Sequence, residues 1–119
     1  MDLEKTNKVF LLGIGGIGMS ALARYFNSIG KKVYGYDKTP SPLTDKLLLE
    51  GCEIFFENDT NHLNKELLSD TTLFIFTPAI KHDNSLYSYI EKLGFEWYRR
   101  CEELKDKFRV LDNGSVFVG

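Results

Sequence analysis

Three glycines near the amino terminus have a spacing that can hold a phosphate group. Gly13, Gly15 and Gly18 follow an apolar run over 9–12 and fit the pattern Gly-x-Gly-x-x-Gly. In this pattern the first glycine permits a tight turn, the second lets the backbone approach a pyrophosphate, and the third lets a helix pack on the preceding strand. The N–H groups at the start of that helix attract the anion. The spacing predicts a nucleotide site, although a tight turn between a strand and a helix can show the same pattern without a ligand.

Asp37 is the second candidate for a contact with a nucleotide. It ends a predicted strand roughly 20 residues after the glycine turn, where dinucleotide-binding folds place an acid that accepts a hydrogen bond from a ribose hydroxyl. An aspartate at the start of a turn can instead bind the backbone of its own turn. The residues alone leave both roles open.

Short apolar runs alternate with amphipathic stretches and would position these residues. The predicted strands cover residues 9–12, 32–37, 52–56, 72–76, 95–98 and 115–119. The predicted helices cover residues 17–29, 42–50, 86–93 and 101–108, and a turn is predicted at 112–114. This alternation predicts an α/β fold with a Rossmann-like, doubly wound parallel sheet of strand order 3-2-1-4-5.

The apolar spacing also predicts which side of each helix faces the sheet. Ser41 is placed to cap the second helix, with Pro42 at its first position. The segment 57–69 is polar and allows either a loop or a short helix, with His62 as a solvated side chain without a partner. The residues predicted on the sheet side are Gly18, Leu22, Tyr25, Phe26 and Ile29 in the first helix, Leu43, Leu47 and Leu48 in the second, and Leu86, Tyr89, Ile90 and Leu93 in the third.

The predicted strand order brings two loops together. Strands one and four would be neighbours, so the glycine turn and the loop over 77–84 would form opposite walls of the crevice in which ligands bind. Arg99 and Arg100 follow the fifth strand at the same edge. An arginine there can hold a carboxylate or a phosphate, and it can equally be a solvated side chain.

The composition excludes several kinds of partner. The 119 residues suffice for one domain, and a formal net charge of −2 gives no basic field for nucleic acid or an anionic membrane. No stretch approaches the length of a membrane span and the first residues do not resemble a secretion signal, so a cytoplasmic location is predicted. Cys52 and Cys101 lack the spacing of a metal site and are predicted to be reduced thiols.

Taken in order, the motifs resemble those of the Mur ligases, which build the peptide of peptidoglycan. The resemblance rests on residues 13–20, 35–37, 79–84 and 99–104. The last of these segments is similar to the family's Arg-Arg-Ala-Glu-Met-Leu. The family typically has a Ser-Ser-Ala-Ile segment leading to Asp-Asn, whereas this chain has Thr77 and Pro78 in place of the serine pair. Because proline offers no N–H, the hydrogen bonding of that loop is left open.

The resemblance implies a domain that holds a substrate for a larger enzyme. Residues 1–108 would form a Rossmann-like domain that binds UDP-N-acetylmuramate rather than a nicotinamide cofactor, with no catalytic residue, cofactor or metal of its own. Residues 109–119 would be a linker and the first strand leading to an ATPase domain that this chain lacks. The whole enzyme would use ATP and Mg²⁺ to add L-alanine through an acyl phosphate, and this chain alone would be inactive.

The resemblance also implies which residues contact the UDP-sugar. They are Gly13, Gly15, Gly16, Ile17, Gly18, Met19, Ser20, Asp37, Lys38, Thr39, Thr77, Ala79, Ile80, Asn84 and Arg99. Three alternatives stay open: an NAD(P)-binding dehydrogenase domain, a non-catalytic domain that senses a nucleotide, and the related ligase of the family that recycles muramoyl tripeptide.

Overall fold

The computed structural model describes residues 5–81 and 83–99, in which strands and helices alternate as predicted. The strands are β1 (Lys8–Leu12), β2 (Lys32–Tyr36), β3 (Glu53–Phe55), β4 (Thr72–Phe76) and β5 (Trp97–Arg99). The helices are α1 (Ile17–Ser28), α2 (Pro42–Leu49) and α3 (Ser85–Lys92), with a 3-10 turn at Thr60–His62.

The five strands form one parallel sheet in the order β3-β2-β1-β4-β5, which confirms the predicted fold class. β1 lies in the centre, where Val9 is opposite Val33 of β2 on one side and Leu73 of β4 on the other. Because the chain leaves β1 toward β2 and later returns to β4, the loops after β1 and β4 diverge at the carboxyl edge of the sheet. A crevice forms at such a point.

The alternating side chains of β1 serve two separate cores. Val9 and Leu11 point to one face, and Phe10 and Leu12 to the other. The first face is covered by α1 and α2 and is mostly aliphatic. The second face is covered by α3 and the segment around Leu67, and it is rich in aromatic rings. Both faces of β1 are therefore buried, as its continuous apolar run predicted.

The predicted inner face of α2 was wrong at two of three leucines. Leu47 is buried, but Leu43 and Leu48 are 38% and 42% exposed. The fully buried residue one turn before Leu47 is Thr44, whose Oγ1 accepts a hydrogen bond from Ser41 N at 2.8 Å. This capping box confirms the predicted start of α2 at Ser41 and turns Thr44 toward the sheet, which moves Leu43 and Leu48 to the sides.

The predicted inner face of α3 was wrong at Tyr89 and Leu93, and the end of α1 is more exposed than expected. Leu86 and Ile90 are buried as predicted, but Tyr87 is buried instead of Tyr89 and Leu93, because its ring stacks on Trp97 with 5.3 Å between the ring centroids. Ile29, predicted on the inner face of α1, lies just after the last helical residue and is 41% exposed.

The segment between β3 and β4 forms no α-helix, and the prediction of an unpartnered His62 was wrong. His62 Nε2 lies 2.9 Å from Glu57 Oε2, and its ring stacks on Phe55. Both neighbours were invisible to helical spacing because they come from the end of β3 and the loop that follows it.

At the carboxyl-terminal side of the described chain, β5 begins at Trp97 and includes Arg99, so it lies slightly later than predicted. Arg100, the helix over 101–108, the turn at 112–114, the strand over 115–119 and the domain boundary at 108 lie outside the described residues. Within the described ranges, no helix is long and apolar enough to cross a membrane.

Candidate nucleotide-binding site

The glycine turn and the loop after β4 face each other across a crevice of about 250 Å³, as the strand order predicted. The crevice opens at the carboxyl edge of the sheet, between the ends of β1, β2 and β4. Its lining residues are Gly13, Gly16, Tyr36, Asp37, Lys38, Thr77, Ala79 and Ile80.

Strand β2 fixes the path of the glycine turn. The amides of Gly13 and Ile14 both donate to the carbonyl oxygen of Tyr36, at 2.8 and 3.0 Å. Gly13 has φ +92°, a conformation that glycine adopts without strain. The fully buried side chain of Ile14 packs directly over Gly35, where a Cβ atom would lie 2.7 Å from the Cβ of Ile14. The turn is therefore positioned from the neighbouring strand as much as from its own glycines.

The start of α1 offers a set of free amides beside the crevice. Its N-cap, Gly16, is extended and has no side chain to bind them, and the first turn contains no acidic residue. Within the described chain, the amides of Ile17, Gly18 and Met19 donate to no backbone or side-chain oxygen. Together with the positive end of the helix dipole, they suit an anion such as a phosphate.

The side chains of this first turn contribute less than its backbone. Met19 and Ser20 are buried, and Ser20 Oγ donates to the carbonyl oxygen of Ile17 at 2.9 Å. Ile17 is 80% exposed. The predicted contact of Met19 with a ligand would therefore come from its backbone, and Ile17 also offers an apolar side chain. Ser20 has no free amide, because Ser20 N donates to the carbonyl oxygen of Gly16 at 2.7 Å.

Asp37 binds two backbone amides through its two carboxylate oxygens. Oδ2 accepts from Gly15 N at 2.8 Å, and Oδ1 accepts from Thr39 N at 3.1 Å. Burial raises the pKa of the neighbouring Tyr36 hydroxyl, and the charge of Asp37 raises it further. Lys38 lines the crevice and is exposed, whereas Thr39 and Gly15 do not line it.

The loop after β4 closes as a turn that does not need an N–H from Pro78. Thr77 N donates to the carbonyl oxygen of Leu12 at 3.2 Å, which ties the loop to β1. Ile80 N donates to the carbonyl oxygen of Thr77 at 3.0 Å, with Pro78 in the second position of the turn, where its fixed φ is favourable. The hydrogen bonding that the sequence left open is thereby accounted for.

Two other predicted site residues lie at the start of α3 and at the end of β5. Asn84 is the N-cap of α3, and its Oδ1 accepts from the amides of Leu86 and Tyr87 at 2.9 and 3.2 Å. Arg99 ends β5 opposite Phe76 in register, which places its backbone at the carboxyl edge of the sheet. Asn84 is not among the residues that line the crevice.

Asn84→Ala is expected to lower the free energy of unfolding by about 1 kcal/mol, because two amides at the start of α3 lose their acceptor. Asn84→Asp keeps that acceptor and should retain the stability of the unsubstituted chain. Chemical denaturation of both variants measures this difference. Equal stability of Asn84→Ala and Asn84→Asp would show that the cap does not stabilise the helix.

Sequence reasoning missed two residues that shape the site. Ile14 was treated as the variable position of the glycine motif, and Gly35 only as part of a family motif. A glycine in the middle of an otherwise apolar strand, beside a motif with an isoleucine after its first glycine, was the available signal of a close approach. Among the described residues, no group of three or more His, Cys, Asp or Glu side chains could hold a metal ion.

The chain is similar in sequence and in fold to known proteins. The chain is 46% identical to a UDP-N-acetylmuramate–L-alanine ligase of Flavobacterium johnsoniae over 97% of its length, and 47% identical to one of Porphyromonas gingivalis over 82%. It spans 26% and 22% of those two proteins. The structure matches a UDP-N-acetylmuramate–alanine ligase from Thermotoga maritima with a TM-score of 0.74 and 31% identity, covering 83% of this chain and 22% of that one.

The similarity to a second structural neighbour shows a shared fold only. It is a UDP-N-acetylmuramate:L-alanyl-γ-D-glutamyl-meso-diaminopimelate ligase from Neisseria meningitides, with a TM-score of 0.73 and 22% identity, covering 86% of this chain and 31% of that one. The family described as "Mur ligase family, catalytic domain" matches residues 8–107. The chain belongs to the Mur ligase family.

Proposed function

We propose that this chain is the domain of a peptidoglycan-precursor ligase that holds UDP-N-acetylmuramate while L-alanine is added in the cytoplasm. The observation that carries the proposal is the set of free amides at Ile17, Gly18 and Met19, beside a crevice in a member of the Mur ligase family. The names of its relatives support the substrate and the amino acid, because those relatives are 46% and 47% identical to this chain.

The described residues would bind and orient the UDP-sugar rather than react with it. The pyrophosphate would lie on the amides at the start of α1, and Lys38 on the crevice wall would add a positive charge. The turn over 77–80 would close the opposite side. The nucleoside would lie toward the end of β2, where ribose lies in related folds. Gly13, Gly16, Thr77, Ala79 and Ile80 would shape the space around it.

ATP and Mg²⁺ are expected for a ligase of this family, but the residues of this chain do not fit their binding. The sequence contains no Gly-Lys-Ser or Gly-Lys-Thr phosphate loop, and the described part contains no metal-binding cluster of carboxylates. No step that uses ATP is therefore assigned to these residues. The domain's contribution would be to present the muramoyl carboxylate to chemistry performed elsewhere in the ligase.

Calorimetric titration tests this proposal. The chain is expected to bind UDP and UDP-N-acetylmuramate. Titration with NADH should give no more heat than titration into buffer alone. In a separate assay the chain should hydrolyse no ATP. Saturable binding of NADH without binding of UDP would favour the dehydrogenase alternative. ATP hydrolysis by the pure chain would contradict the proposal that the domain is inactive alone.

A further inference from the structure

The carboxylate of Asp37 joins the two loops that form one side of the crevice. Its Oδ2 binds the amide of Gly15, in the turn between β1 and α1, at 2.8 Å. Its Oδ1 binds the amide of Thr39, in the turn between β2 and α2, at 3.1 Å. The two amides come from turns that are distant in sequence, so Asp37 is a link between loops as well as a cap of its own turn.

The absence of a side chain at Gly15 leaves space for this carboxylate. A Cβ atom on Gly15 would lie 2.7 Å from Asp37 Oδ2 and 3.1 Å from Thr44 Cγ2, so any side chain would displace the carboxylate or strain α2. Gly15 does not line the crevice, whereas its neighbour Gly16 does. The amide of Gly15 is therefore directed at Asp37, and the free amides begin two residues later at Ile17.

We propose that Asp37 is a positioning residue: its carboxylate holds Gly15 so that the amides of Ile17, Gly18 and Met19 remain available to the pyrophosphate. This inference rests on the proposed function. It assigns Asp37 an effect on the phosphate end of the ligand through the glycine turn. An acid that accepts a hydrogen bond from the ribose would instead affect the nucleoside end.

The two roles predict different losses for different parts of the ligand. Binding of uridine, UDP and inorganic pyrophosphate is measured by NMR titration for the unsubstituted chain and for Asp37→Ala. A positioning role predicts that the affinities for UDP and pyrophosphate fall by the same factor, about tenfold, while that for uridine is unchanged. Asp37→Asn retains one oxygen acceptor and should recover part of the loss, and it replaces Asp37→Ala in the comparison if that variant does not fold.

A double-variant cycle with Gly15→Ala tests the link itself. When Asp37 is retained, the methyl group added by Gly15→Ala pushes against Asp37 Oδ2, so this variant should weaken pyrophosphate binding much as Asp37→Ala does. In the double variant the carboxylate is absent and only the looser contact with Thr44 Cγ2, at 3.1 Å, remains, so the second substitution should add less than a further twofold loss. Ala21→Ser, elsewhere on α1, is the control and should combine additively with Asp37→Ala.

The outcomes separate this inference from the function on which it rests. Loss of uridine and UDP binding with unchanged pyrophosphate binding would overturn the positioning role and assign Asp37 to the ribose. Additive losses for Gly15→Ala and Asp37→Ala would overturn the link. If the unsubstituted chain bound neither UDP nor pyrophosphate, the proposed function would fail, and the same cycle measured by thermal unfolding would still decide whether Asp37 fixes Gly15.

Discussion

Gly35→Val is expected to destabilise the chain by about 3 kcal/mol or more, which is a large part of the stability of a small domain. Gly35 lies in β2 beside Leu11 of the central strand, and Ile14 covers it. A Cβ atom there would lie within 2.9 Å of three carbon atoms of Ile14, one of them its Cβ, and the side chain of Ile14 is fully buried. The substitution would therefore push the glycine turn away from the sheet.

Chemical denaturation of Gly35→Ala and Ile14→Ala, alone and combined, measures this effect. Removing most of the isoleucine side chain relieves the contact, so the double variant should be more stable than the sum of the two single losses predicts. Gly16→Ala serves as the control glycine because its added Cβ would meet no atom closer than 3.7 Å. Additive losses for Gly35→Ala and Ile14→Ala would mean that their contact does not limit the strand.

Gly16→Asp is expected to lower the affinity for UDP about hundredfold or more without a loss of stability. Gly16 is the N-cap residue of α1 and has no side chain that could cap the helix. Its backbone, at φ −67° and ψ 154°, suits any residue. An aspartate there would accept hydrogen bonds from the amides at the start of the helix and would place a negative charge where the phosphate is proposed to bind. The cap should raise the free energy of unfolding by about 1 kcal/mol relative to Gly16→Ala.

Calorimetry with UDP and thermal unfolding of the same samples check the two halves of this expectation. Gly16→Ser, which can cap the helix without a charge, should give the same stability and an intermediate loss of affinity. Unchanged affinity in Gly16→Asp would place the anion away from the start of α1. Such a result would contradict the proposed site while leaving the family assignment intact.

The order of strands and helices could be predicted from the sequence because its signals are local. Glycines at 30, 51 and 94 end the three helices with positive φ. Short apolar runs such as 72–76 indicate buried strands. The strand order alone predicted that the glycine turn and the Thr77 loop face each other, because parallel strands bring their carboxyl ends to one edge of the sheet.

The errors at α2 and α3 have a different origin, since each depended on a specific side-chain contact rather than on apolar spacing. Thr44 replaced two leucines on the inner face of α2 because Ser41 caps the helix through it. Tyr87 replaced Tyr89 because Trp97 approaches from β5. The neighbours of Asp37 likewise come from turns before and after β2, and spacing along one segment cannot distinguish a ribose ligand from a link between loops.

The packing of Trp97 gives the chain an internal optical reporter. Trp97 is the single tryptophan of the sequence, and it is only 8% exposed, between the aromatic rings of the second core. Its indole N–H donates to the carbonyl oxygen of Tyr87 at 3.1 Å, so the ring is both shielded from water and fixed in orientation. It lies on the α3 side of the sheet, whereas Ile14 belongs to the core on the α1 side. Its intrinsic fluorescence can therefore separate opening of the α3 face from rearrangement of the glycine turn, without a label.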